Sequence, residues 1–185
     1  MVLLEPKCRT FGEKEKQMKK VSKKKVVHTS PEDLPPVVSE AAVQYNMLRV
    51  ILGGHKSVSG SLSNDMDLID LSRHGVQKSS LKSLAHYLGI TMEKMSSLLH
   101  TSHRNIQRKD EDELLDTLKS EKVLELAAFI KRGIDVTGSK DAFKQWLHSP
   151  IMALGNRMPV DFLDTTFGIQ MALKVLGRLE QGVFS

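Results

Sequence analysis

The strongest constraint on this chain is a helical apolar rhythm that runs from residue 66 almost to its end, broken only by caps, glycines and prolines. Leu81, Leu84, Ala85 and Leu88 follow the i, i+3, i+4, i+7 spacing of one helix face, and Gly89 stops that helix. Upstream, Ser39 to Leu52 predicts a first helix on Tyr45, Leu48 and Leu52, ended by Gly53 and Gly54, and Met66 to Ser72 predicts a short one stopping near Gly75. Thr91 caps the next helix, built on Met92, Met95 and Leu99, and Ser102 caps another with Ile106 as its single apolar anchor. Asp110 to Glu113 place acids where a helix N-terminus favours them, predicting a long helix through Leu114, Leu115, Leu118 and Val123–Ile130 to Gly133. Ser139 caps a helix carrying Phe143, Trp146 and Leu147, and Pro159 opens a short one. Thr165 or Thr166 caps the last, with Ile169, Ala172, Leu176 and Leu179 inward. No stretch alternates as a strand would, so the predicted fold is all-α.

The 185 residues carry 26% charged and 40% hydrophobic side chains, as a globular protein does, and no apolar run reaches the roughly 20 residues a membrane helix needs. Met1 to Pro6 is too short and too quickly charged for a signal peptide, and Cys8 alone forms no internal disulfide, so a cytoplasmic location is expected. The net charge of +5 is uneven: +6 over residues 1–30, −1 over 31–60, +3 over 61–109 and −3 over 110–185. A basic front and a mildly acidic back suit nucleic acid at one end and another partner at the other. Residues 1–38, with Lys14, Lys16, Lys19, Lys20 and Lys23 to Lys25 and with Pro31, Pro35 and Pro36, read as a basic arm, either solubilising or touching nucleic acid. A DNA-binding region over 39–109 and a helical region over 110–185, with its core motif at 139–185, complete the expected organisation.

Thr91–Leu99 and Ser102–Lys109, joined at His100-Thr101, form a candidate helix-turn-helix. In that layout one helix braces while the second lies in the major groove. The second presents Ser102, His103, Arg104, Asn105, Gln107, Arg108 and Lys109, with no acid from His100 to Lys109. Arginine pairs with guanine, asparagine or glutamine with adenine, and the cations neutralise phosphates. Many such turns hold glycine where His100 stands, a position that needs positive φ. No metal site is expected, because His100 and His103 straddle a helix boundary without a third ligand. No nucleophile elbow, phosphate loop or paired-acid motif points to an enzyme or a cofactor.

Two segments are more specific. Leu154-Gly155-Asn156-Arg157-Met158-Pro159-Val160-Asp161 presents an arginine on a glycine loop just before a proline-started helix, and Arg178-Leu179-Glu180-Gln181-Gly182-Val183-Phe184-Ser185 leaves a helix with two apolar side chains. With Trp146-Leu147, Pro150, Leu163-Asp164-Thr165 and Gly168, their order and spacing over residues 140–185 resemble the toxin-binding domain of Xre/MbcA/ParS-type antitoxins of bacterial toxin–antitoxin modules. The stretch from Gly75 to Lys109 is similar to that family's Xre-like helix-turn-helix. Asn156 replaces the second glycine of the family loop, and asparagine is the residue that best tolerates a left-handed backbone after glycine.

The resemblance implies an antitoxin that pairs with a RES-domain toxin, an enzyme that depletes NAD+, and that represses its own operon by binding operator DNA. Arg157, Asp161, Arg178, Glu180, Val183, Phe184 and Ser185 are the residues it assigns to the toxin. Arg157 would supply a planar multi-donor charge, or instead pair internally with Asp161 or Asp164. Phe184 would anchor in the toxin, or instead pack back onto its own helix. A homodimer is expected, since two half-sites give a repressor its specificity, with Leu114–Ile130 favoured over Ala41–Leu52 as the interface. The competing readings are a stand-alone helix-turn-helix regulator whose C-terminal module dimerises, and an adaptor with no sequence-specific target.

Overall fold

The computed structural model describes residues 40–182 other than Ser59, and the basic arm and Val183 to Ser185 lie outside the described residues. Eight α-helices follow one another there: α1 (Glu40–Ile51), α2 (Asp65–His74), α3 (Ser79–Leu88), α4 (Met92–Leu98), α5 (His103–Gln107), α6 (Thr117–Thr137), α7 (Lys140–Leu147) and α8 (Thr166–Glu180). Short 3-10 turns occupy Gly54–Lys56, Met152–Leu154 and Pro159–Phe162. The all-α expectation is met.

Most starts are fixed by a side-chain oxygen that accepts an orphan amide of the first turn. Thr91, Ser102, Ser139 and Thr165 accept from the amides of Lys94, Asn105, Ala142 and Gly168 at 3.1–3.2 Å. α6 is the hub, against which α1, α2, α3, α7 and α8 all pack. Its inner face is Val123, Leu126, Ala127, Phe129 and Ile130, all buried. Phe129 meets Phe143 edge-to-face at 5.6 Å between centroids, and Phe143 stacks on Trp146 at 6.1 Å. Each such pair contributes about 0.5–1.5 kcal/mol beyond area burial.

Two expectations about the long helix are corrected. It begins at Thr117, not at the acids, and Asp116 caps it through the Lys119 amide at 3.0 Å. After a turn at Glu111 and Asp112, the chain runs beside residues 76–79: the Leu115 amide donates to the Val76 carbonyl, and the Lys78 and Ser79 amides to the Glu113 and Glu111 carbonyls, each at 2.9 Å. Gly75, at φ 101°, makes room, since a Cβ there would lie 2.6 Å from the Leu115 carbonyl. Nor does the helix stop at Gly133. It continues to Thr137, and Gly138 at φ 81° ends it. Gly133 is instead a close-approach residue under the Phe143 ring. As the hub, α6 spends most of its apolar face on the core; over Leu114–Ile130 Leu115 is buried, and Leu114 and Leu118 are the large apolar side chains left exposed, by 51% and 79%.

Gly133 of α6 and Gly177 of α8 should respond oppositely to alanine. Helix propensity alone favours Ala by about 1 kcal/mol. A Cβ on Gly133 would sit 2.1 Å from the Phe143 ring, whereas one on Gly177 meets nothing within 4 Å. Chemical denaturation should show Gly133→Ala destabilised by about 1–3 kcal/mol, the cost of overpacking a core, and Gly177→Ala unchanged or stabilised.

Candidate functional site

α4 and α5 meet across a four-residue turn. The Thr101 amide reaches back to the Ser96 carbonyl at 3.1 Å, and His100 takes φ 52°. The left-handed position expected of a glycine is therefore occupied by histidine, and a tertiary contact holds it: His100 Nε2–H donates to the Asp164 carbonyl at 3.0 Å. Ile106 is the buried anchor of α5. Ser96 donates its hydroxyl proton to the Met92 carbonyl at 2.8 Å, so it accepts from His103 Nδ1–H at 3.4 Å.

These contacts divide the residues expected at DNA. Ser102 is the cap of α5, His103 is half-buried against Ser96, and Lys109 pairs with Glu113. Arg104, Asn105, Gln107 and Arg108 are exposed on one short helix and its end, with no side-chain partner among the described residues. Asn105, Arg108, Lys109 and Lys119 line a shallow pocket beside it. The helix is shorter than the expected 102–109, ending at Gln107 with Arg108 as its C-cap.

The segment that follows is neutralised in place. Glu111 lies 2.8 Å from Lys82 and 3.4 Å from Lys78, and Asp116 pairs with Lys119. Hydrogen bonding to Lys82 holds the Glu111 carboxyl below its ordinary range, the Lys109 ammonium does the same for Glu113, and Lys119 for Asp116. The acids that imitated a helix start thus brace the end of α5 against α3.

The C-terminal segment forms a closed loop. Ile151 N–H donates to the Arg157 carbonyl at 3.1 Å and Asn156 N–H to the Ile151 carbonyl at 3.0 Å, with Gly155 at φ 66° and Asn156 at φ 58°. Asparagine therefore does adopt the left-handed backbone that the family loop gives to glycine. Arg157 is exposed, and neither Asp161 nor Asp164 pairs with it. Its guanidinium lies 4.4 Å over the Phe162 ring, a partner the sequence reading missed because only the turn at Pro159 brings it there. Asp161 faces Lys94 of α4 at 3.8 Å. Arg178 is exposed with no ion pair among the described residues, whereas Glu180 takes a two-point contact from Arg132, at 2.5 and 3.2 Å. Val183, Phe184 and Ser185 lie outside the described residues. The loop is also tied to the reading unit, through Lys94–Asp161 and His100–Asp164, while His148 Nε2–H donates to the Leu88 carbonyl at 2.8 Å.

A short helix with free donors after a tight turn, joined to an arginine-bearing loop motif, defines a helix-turn-helix unit followed by a second helical module. Residues 67–128 match the model of the antitoxin Xre-like helix-turn-helix domain, and residues 132–182 that of the antitoxin Xre/MbcA/ParS C-terminal toxin-binding domain. The chain belongs to the Xre/MbcA/ParS antitoxin family. It is 29% identical over 133 residues to the Prs ADP-ribosylating antitoxin of Sphingobium sp. (strain YBL2), covering 66% of this chain and 84% of that one. It is 26% identical over 120 residues to antitoxin Xre of Yersinia enterocolitica, covering 64% and 81%. Among solved structures, the M. tuberculosis MbcT–MbcA toxin–antitoxin complex aligns at 22% identity and a TM-score of 0.43, over 58% of this chain and 96% of that one. No helix among the described residues is long and apolar enough to cross a membrane.

The brace at residues 111–116 sets a pH dependence. Glu111, Glu113 and Asp116 have lowered carboxyl pKa values in the folded chain, so their stabilisation is complete above the unfolded value and disappears as pH falls through the folded one. Amide exchange in 110–120 should therefore accelerate below about pH 4, under the ordinary glutamate value, ahead of the α6–α7 core. Uniform protection down to global unfolding would rule the brace out.

Proposed function

We propose that this chain is a cytoplasmic antitoxin that neutralises a RES-domain, NAD+-depleting toxin by covering its active site, and that it represses its own operon. The observation that carries the reading is the pairing of four unpartnered donors on α5 with a toxin-binding-type module tied to the same turn. Arg104, Asn105, Gln107 and Arg108 read the operator. Ser102 and His103 position them, and Lys109 meets the phosphate backbone.

On the toxin side, Arg157 offers its guanidinium edge while its face rests on Phe162, which fixes the fork at low entropic cost. Asp161 and Arg178 flank it, Glu180 holds α8 in place through Arg132, and Val183, Phe184 and Ser185 enter the toxin. A toxin is silenced this way without any chemistry on the part of the antitoxin.

Two measurements test the reading. Expressing the product of the adjoining reading frame alone should lower cellular NAD+, and co-expression of this chain should restore it. Truncation before Gly182 should abolish the rescue while leaving the helical circular dichroism intact, and full rescue by the truncated chain would overturn the tail's role. On the promoter fragment, Arg104→Ala and Gln107→Ala should each weaken binding by about 1–3 kcal/mol, the value of a bidentate base contact. Rescue from the toxin should be unaffected by either.

A further inference from the structure

α7 and α8 both pack on α6, and an open cleft of about 500 Å³ lies where the end of α6, α7 and the last turn of α8 come together. Val136, Trp146 and Leu179 form its apolar walls, each only half-buried in the described fold. Of the aromatic cluster Phe129, Phe143 and Trp146, the first two are fully buried, so Trp146 is where the cluster meets solvent. Thr137 and Ser149 stand at the rim. Each hydroxyl already donates to a backbone carbonyl, of Gly133 at 2.7 Å and of Gln145 at 2.6 Å. No charged side chain lines the cleft among the described residues. It suits an uncharged, apolar side chain.

We propose that this cleft is the resting site of the chain's own tail, with Phe184 seated against Trp146 and Leu179 while no toxin is bound. Chain geometry selects that occupant. Leu179, on the cleft wall, lies three residues before Gly182, and its carbonyl accepts the Gly182 amide at 3.0 Å. Gly182 takes φ 70°, a helix-ending turn that keeps the next residues beside the last turn of α8. Phe184 follows two residues later, a span of at most about 7 Å, so it reaches the wall that Leu179 builds. Seated there, it adds a fourth ring to the cluster and buries roughly 150–250 Å² of aromatic surface. The basic arm is a poorer occupant, because its lysines would leave water for a cleft that offers no carboxylate.

The seating gives Phe184 two alternative sites, one in its own chain and one in the toxin. That exchange rests on the toxin-binding reading of the tail, whereas the seating itself does not. Because tail and cleft share one chain, a weak contact is enough to fill the site. A toxin then meets only the fraction of chains whose tail is out, and its apparent affinity falls by that fraction. The tail is thereby a gauge of how readily the antitoxin engages.

Trp146 is the chain's only tryptophan, so its fluorescence reports on the cleft directly. With neither toxin nor DNA present, Phe184→Ala should shift the emission to longer wavelength and make acrylamide quench it more strongly, with circular dichroism unchanged. In a Leu179→Asp chain, whose cleft wall is charged, Phe184→Ala should add no further shift. In a Cys8→Ser background, Gln145→Cys and Ser185→Cys should oxidise to a disulfide within a single 20.7 kDa chain. Emission that Phe184→Ala leaves unchanged overturns the resting site. So does a shift of full size in the Leu179→Asp chain, which would place the tail elsewhere. A disulfide found only between two chains would also overturn it, since the occupant would then be the tail of a second copy. Loss of toxin rescue on truncation can stand whatever these measurements return, so the two readings fail separately.

Discussion

The packing of α7 onto the middle of α6 is the constraint on which the other placements depend. Gly133 has no side chain where the Phe143 ring crosses, so the two helices approach closely enough for Phe129, Phe143 and Trp146 to form one aromatic cluster. The arginine loop that follows α7 then lies against the helix-turn-helix, through Lys94–Asp161 and the His100 bond to the Asp164 carbonyl. Leu147 and His148 at the end of α7 then set where the loop begins, and the His148 bond to the Leu88 carbonyl fastens it to α3. The loop and the helix-turn-helix are held relative to each other by rigid elements, not by a flexible linker.

Much of this was legible in the sequence because capping is local chemistry. Thr91, Ser102, Ser139 and Thr165 each stand three residues before the amide they satisfy, and each helix start was placed by that signal. Positive φ was legible too, at His100 and Asn156, from the glycine each replaces. The failures were of another kind. Asp110 to Glu113 have the composition of a helix start, but lysines 30 residues earlier, at 78 and 82, compete for them, and that competition exists only once α3 is in place. Gly133 looked like a stop because sequence shows a missing side chain without showing what fills the space.

The recognition surfaces were readable as composition but not as allocation. Seven residues share the basic end of the reading unit, yet three are engaged locally, as cap, as hydrogen-bond partner of a buried serine and as ion pair. The Arg157–Phe162 stack and the Arg132–Glu180 pair join residues on different elements, so spacing along the chain carries no trace of either.

The boundary between the two family domains falls at residues 129–131, inside the unbroken α6. A helix transmits rotation, at about 100° per residue. Adding or deleting one residue at that junction would therefore swing the arginine loop around the helix axis and pull its aromatic packing apart. Insertions tolerated by an ordinary interdomain linker are barred here, and a chimera that borrows the C-terminal half of another antitoxin must keep the helical phase across the splice. Partner exchange in such a protein is a problem of angular register before it is one of surface chemistry.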